Sequence, residues 1–285
     1  MSNPSAGVIH DIGYHRYDGP RLGRGYAVRS LYAHSVRTAF GLGRSAKAKI
    51  FPWATVGLIG IVAAVLTAIR AQIGEPVATY VEFPQLVTLL LVLFGAMVAP
   101  ELVSRDLRGG VLQLYFSRPL RTSDYALAKL AALITAMFLP VAGALLLMFA
   151  GGAFTVDRIG DVWDEFLDVA QALAYAGVYA VTFGSVSLLV ASLAGRRAVA
   201  AASVVATFLV TTPVVGVLHA VGGDTAQELA DLASPMTLVG GVGDWLFEPG
   251  GEHGVGSYGP LYGAVTVGLV AACALLLLAR YRKVR

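Results

Sequence analysis

Pro100-Glu-Leu-Val-Ser-Arg-Asp-Leu-Arg-Gly-Gly110-Val-Leu-Gln-Leu-Tyr-Phe-Ser-Arg-Pro-Leu120-Arg-Thr-Ser-Asp-Tyr-Ala-Leu-Ala-Lys129 is the one charged, patterned stretch set between two long apolar runs. Residues 85–99 before it hold no charge, and neither do residues 130–155 after it. A helix rises about 1.5 Å per residue, so roughly 20 apolar residues cross the ~30 Å of hydrocarbon in a bilayer. The flanking runs, 83–103 and 129–151, have that length. The quoted stretch is therefore a loop that joins two crossings and lies outside the bilayer.

Four further runs have the same character: 50–69, 167–194, 198–220 and 259–279. The expected fold is all-α, a polytopic membrane protein with six transmembrane helices. Composition agrees, since the 285 residues are 56% hydrophobic and 14% charged with a mean hydropathy of +0.70, whereas about 25% of residues are charged in soluble domains. The lone Cys273 lies inside the last run and reads as a small buried hydrophobe, so no disulfide framework is expected.

Basic residues near span ends stay on the cytoplasmic side. Nineteen of the 21 Lys and Arg residues fall on one side: the tail up to Lys49, the stretch from Arg105 to Lys129, Arg196 with Arg197, and the end from Arg280. Only Arg70 and Arg158 dissent. Thirteen of the 18 acids fall on the other side. Both termini are expected in the cytoplasm, in a multi-pass protein of the cell inner (plasma) membrane. The net charge of +3 and the pI near 9.0 follow from this sidedness and point to no nucleic acid. The first 49 residues show no short apolar core ahead of a cleavage site, so no signal peptide is expected.

Residues 1–24 read as an irregular cytoplasmic tail, and His10, Asp11 and His15 there are not expected to hold a metal. In residues 25–49, Val28, Leu31, Tyr32, Val36 and Phe40 recur at helical spacing while Arg29, His34 and Arg37 fall elsewhere on the wheel. This predicts an amphipathic helix lying along the cytoplasmic leaflet, or alternatively packed on the cytoplasmic loops. The rest, 50–285, is the transmembrane domain.

Within it, Pro100 is expected to stop or kink the second span and Pro140 to kink the third. Paired Gly109 and Gly110 predict a break between two short helices in the loop 101–125, with Thr122, Ser123 and Asp124 as candidate caps of the next helix. Residues 157–168 read as an acidic interfacial helix with an apolar face. Thr211-Thr212-Pro213 predicts a local opening of the fifth span. In the outer loop 221–258, Thr225 and Glu228 suggest a capping box, and residues 234–247 a second, apolar helix. Ala198, Ala202 and Ala206, and again Ala264, Gly268 and Ala272, repeat every four residues as packing seams within a subunit or between two.

Glu101, Arg105, Gly110, Leu112, Leu114, Ser117-Arg118-Pro119-Leu120, Arg121, Tyr125 and Lys129 resemble the signature of the type-two ABC exporter permeases. Six spans and the amphipathic amino-terminal helix extend the resemblance to most of the chain. The resemblance implies that the loop after the second span is a cytoplasmic coupling helix docking on a nucleotide-binding subunit. Its docking residues would be Glu101, Arg105, Asp106, Arg108, Gly110, Leu112, Leu114, Arg118, Pro119 and Arg121. It implies a connecting helix at 25–49 and short extracellular re-entrant helices before the last span. It also implies two copies of an ABC ATPase as partners and a second permease subunit, identical or not.

No GxxxxGK[ST] loop occurs, and residues 41–47 lack the glycine required before the lysine. The chain is expected to be non-catalytic and to bind no cofactor itself, with ATP and Mg at the partner ATPase. The absence of HExxH and GxSxG motifs argues against a membrane-embedded enzyme. An ion-coupled carrier or channel is the alternative, and it usually places ionisable residues at mid-depth. Spans one, three, five and six have none there, which favours an apolar or amphipathic cargo.

Overall fold

Lipid offers the backbone no hydrogen-bond partner, so apolar runs that enter it close their own bonds as helices. The computed structural model describes residues 22–110, 120–154, 159–247 and 255–283, together with Gly19, Tyr115 and Ser117. Every regular element among the described residues is helical.

In chain order these are α1 (Arg24–Ala39), α2 (Ala46–Ile73), a single turn α3 (Glu82–Leu86), α4 (Thr88–Arg108), α5 (Thr122–Ala153), α6 (Ile159–Leu193), α7 (Arg197–Leu209), α8 (Thr212–Val221), the short α9 (Asp224–Glu228), a 3₁₀ turn (Ala230–Ala233), α10 (Pro235–Phe247), a second 3₁₀ turn (Gly256–Tyr258) and α11 (Gly259–Lys283). Five stretches are long and apolar enough to cross a membrane: α2, α5, α6 from Gly160, α7 with α8, and α11. Thr88–Ser104 is a shorter apolar helix.

The core is built on α5 and α6, which pack along each other. At about 1.5 Å per residue their 32 and 35 residues outreach a bilayer core. The surplus of α5 is its first turns, on the end rich in basic residues; that of α6 is its first turns, on the acidic end. Helices α1 and α2 lie on α5, and α4 lies on α6 and α7; α11 covers α5 and α6. On α6, spacing of four stacks Tyr175, Tyr179 and Phe183 edge to face at 5.1 and 5.3 Å, and Phe208 of α7 meets Phe183 at 4.6 Å.

Several expectations are corrected. Helix α4 does not stop at Pro100 but continues through it to Arg108, because its last turns are held against α6, where Ser104 Oγ donates to Ala191 O at 3.0 Å. Pro140 lies buried within α5, which does not end there. The acidic segment is no separate helix: from Ile159 it is the beginning of α6, with Trp163 and Phe166 exposed and stacked at 5.4 Å. The N-cap of α5 is Arg121, and none of its three candidate caps takes that place; Asp124 instead reaches back from the third helical position to accept the Arg121 N–H. Thr225 caps nothing, since α9 begins after Gly223.

The opening in the fifth span is present. Helix α7 ends at Leu209 and α8 begins at Thr212, with Pro213 in its first turn. The Thr212 hydroxyl donates to Phe208 O at 3.1 Å, and the Thr211 hydroxyl donates to Ser234 Oγ at 2.9 Å, tying the break to the start of α10. The apolar piece 234–247 is α10, and it is sunk into the bundle. An added Cβ on Gly241 would lie 2.4 Å from the Tyr262 ring, and one on Gly243 would lie 2.2 Å from the Tyr175 hydroxyl. That hydroxyl donates to Val239 O at 2.9 Å.

The small residues face outward. Ala198, Ala202 and Ala206 are all exposed, and α7 packs through Ala200, Val204 and Phe208. Ala264, Gly268 and Ala272 are exposed as well, and α11 packs through Tyr262, Thr266, Cys273, Leu277 and Tyr281. Neither set is a seam inside this chain.

Candidate functional site

The basic end gathers three carboxylates, each on or beside the loop 101–125 and each bound to a cation from elsewhere in the chain. Glu101, on the last turns of α4, accepts from Arg44 Nη1 at 2.6 Å through one oxygen and pairs with Arg197 Nη1 through the other. Arg44 belongs to the turn between α1 and α2, and Arg197 opens α7. One side chain thus joins three helical segments far apart in sequence.

Asp106 is one turn further on. It receives the Lys129 ammonium at 2.9 Å and the Tyr125 hydroxyl at 2.7 Å, both from α5. The Lys129 side chain is 5% exposed and Asp106 15%. The Tyr125 ring is buried between Tyr115, at 5.6 Å, and Tyr281 of α11, at 5.1 Å. Asp124 completes the set by taking a two-pronged bond from Arg24 of α1, at 2.6 and 2.7 Å. Bidentate guanidinium–carboxylate geometry is the directional form of an ion pair.

Helix α1 is held along its length as well as at its foot. Tyr32 and Thr135 share a hydroxyl hydrogen bond at 2.9 Å, so positions 24 and 32 meet 124 and 135 in ascending order and the two helices run side by side in one direction. Leu31, Ser35 and Ala39 are buried, and Val28, Tyr32 and Phe40 pack against the core. Val36 is half-buried, and the Phe40 ring meets Trp53 and Phe94 at 6.1 Å each. The apolar stripe of α1 is turned towards the bundle, with Val28, Tyr32, Val36 and Phe40 partly buried. Between α1 and the loop lies a groove of about 350 Å³, walled by Leu22, Tyr26, Ser30 and His34 on one side and by Tyr115 and Leu120 on the other.

The residues singled out for docking therefore divide. Glu101 and Asp106 are turned inward as braces. Gly110 sits in the left-handed region at φ +62°, where a side chain is strained, and with Gly109 it ends α4 by a turn. Arg121 is exposed and gives its backbone N–H to Asp124 at 3.0 Å. Arg105 and Arg108 lie on α4, their side chains outside the described residues; Leu112, Leu114, Arg118 and Pro119 lie outside them altogether.

At the opposite end a second cluster accounts for a dissenting cation. Arg70, in the last turn of α2, pairs with Glu165 of α6 and donates to the Tyr80 hydroxyl at 3.1 Å; that hydroxyl also donates to Glu165. Burial, and then the bond to Glu165, hold the Tyr80 hydroxyl protonated well above the ordinary phenol range. The cluster rests on Gly152 of α5, where a Cβ would lie 2.6 Å from the Tyr80 hydroxyl. Sequence reasoning missed Arg70 as a partner, yet its breach of the charge rule was the available signal.

Among the described residues no group of His, Cys, Asp and Glu is placed to hold a metal ion. The model of a family described as ABC-2 family transporter protein matches residues 25–238, from the start of α1 into α10. No curated protein matches the chain.

Proposed function

This chain belongs to the ABC-2 transporter family, and from that membership we propose that it is the transmembrane permease subunit of an ATP-driven exporter. It crosses the inner membrane six times with both termini in the cytoplasm, Thr88–Ser104 being the crossing that is shortest in apolar length. Counting the charged turns, the 21 residues of α4 reach about 30 Å, enough to span.

The observation that carries this reading is the mounting of the loop 101–125. At Asp106 and at Asp124 it is fixed by buried or bidentate ion pairs, to α5 and to α1. A loop that only reversed the chain would need no such fixing. A force applied to it passes directly into α4, α5 and α1. We assign the push to a separate ATPase, present in two copies with ATP and Mg, gripping the loop and the adjoining groove of α1. The cargo is apolar or amphipathic and passes between this chain and a second permease subunit. The outward-facing Ala198, Ala202 and Ala206 and Ala264, Gly268 and Ala272 offer close approach there.

The test is purification of the full-length chain from its own membranes with an assay of ATP hydrolysis in the eluate. Wild type is expected to carry an ATPase. The double variant Arg105→Glu, Arg108→Glu is expected to insert normally and lose at least tenfold of that activity. Absence of ATPase with wild type, or full activity with the double variant, overturns the proposal.

A further inference from the structure

A cavity of about 290 Å³ opens at the basic end between the α1–α2 turn, α4 and the start of α7. Its rim holds Arg44, Lys47 and Arg197, and its one carboxylate is Glu101. Glu101 already binds both arginines, one on each oxygen, which forces two guanidinium groups together beside a single negative charge. With Lys47 added, three cations face one anion. Lys47 makes no ion pair among the described residues, and the first turns of α2 and α7 contain no acid to compensate it.

The wall changes character with depth. Beyond the cations come Phe51, Pro52, Met97 and Val98, the apolar side chains where α2 and α4 enter their hydrophobic runs. A ligand filling this space must be anionic at one end and apolar at the other, and the boundary between the two falls where a helix passes from headgroups into hydrocarbon. A basic pocket between transmembrane helices on the cytoplasmic side fits a phospholipid headgroup. Each guanidinium spends one nitrogen on Glu101 in its ion pair, and a guanidinium offers five N–H donors in a planar fork suited to phosphate oxygens.

We propose that this cavity is a binding site for the phosphate of an anionic phospholipid of the cytoplasmic leaflet, held by Arg44, Lys47 and Arg197 with the acyl chains along Phe51 and Met97. The site lies apart from the loop 101–125 groove and requires no ATPase. It couples lipid charge to Glu101, the residue that joins the α1–α2 turn, α4 and α7.

Full-length protein stripped of lipid in neutral detergent is titrated with phosphatidylglycerol and, separately, phosphatidylcholine, following bound lipid by native mass spectrometry and the melting temperature. Phosphatidylglycerol is expected to bind and stabilise, phosphatidylcholine not. Lys47→Gln is expected to weaken phosphatidylglycerol about fivefold, the usual effect of one basic residue at a membrane surface. Lys49→Gln, the same charge change two residues on but off the cavity wall, should change binding less than twofold. Equal loss in the two variants, or equal binding of the two lipids, overturns the site. Displacement of phosphatidylglycerol by millimolar inorganic phosphate or glycerol 3-phosphate shows that the cavity takes a soluble phosphate and overturns the lipid assignment.

Discussion

Lys129 is among the most enclosed charges of the described chain; its ammonium pairs with Asp106 and lies 5.4 Å from the centre of the Tyr125 ring, whose hydroxyl is bound to the same carboxylate. Removing one member of a buried pair leaves the other desolvated and uncompensated, which costs about 3–5 kcal/mol, whereas removing both is often close to neutral. Lys129→Met is therefore expected to lower the melting temperature of the detergent-solubilised protein sharply. The double variant Lys129→Met, Asp106→Asn should recover most of the loss. Additive losses in the two single variants would show that the pair is not coupled. Lys129 and Tyr125 were visible in sequence as members of a signature, but their common partner was not. Glu101 and Asp124 were likewise visible as residues, while Arg44, Arg197 and Arg24 lie 57, 96 and 100 positions away from them, and no local pattern reports such a distance.

At the scale of the element, α10 shows how glycine sets the closeness of two helices. Gly241 and Gly243 let it sink onto the rings of Tyr262 and Tyr175, and Gly259 and Gly263 accept the Trp245 ring in return. Gly241→Val places side-chain atoms where the Tyr262 ring now lies, so α10 must lift from α11. Amide hydrogen exchange across residues 235–247 is expected to quicken at least tenfold while that of α2 stays unchanged; unchanged exchange in α10 would contradict this packing. Helix existence was legible wherever an apolar run was long, and the break at Thr211 was legible because Pro213 and two hydroxyls announce it. Of the stop or kink expected at Pro100, the stop was not realised, because a missing N–H disfavours a helix locally while packing of α4 on α6 and α7 decides the outcome. The stripes of small residues show a related limit of local pattern: spacing identifies a face, and which neighbour that face meets is set by the whole bundle, which leaves both stripes outward in this chain.

Across the whole molecule the charges separate by end, and each end closes with its own ion-pair cluster, Glu101, Asp106 and Asp124 at one and Arg70 with Glu165 at the other. The orientation this implies can be measured in intact cells. With Cys273→Ser as background, single cysteines are introduced at the exposed positions Ser117 and Ser257. A membrane-impermeant maleimide is expected to label Ser257→Cys in intact cells and Ser117→Cys only after permeabilisation. The reverse pattern would put the loop 101–125 outside the cell and remove the basis for an ATPase partner.

Asp124 belongs at once to the exit of the loop and to the first turn of α5, and the cation it holds is the first residue of α1. The foot of the amino-terminal helix and the exit of the loop thus share one anchor. On the proposed role of the loop, a bulky passenger fused ahead of residue 24 loads that shared anchor and is expected to slow transport.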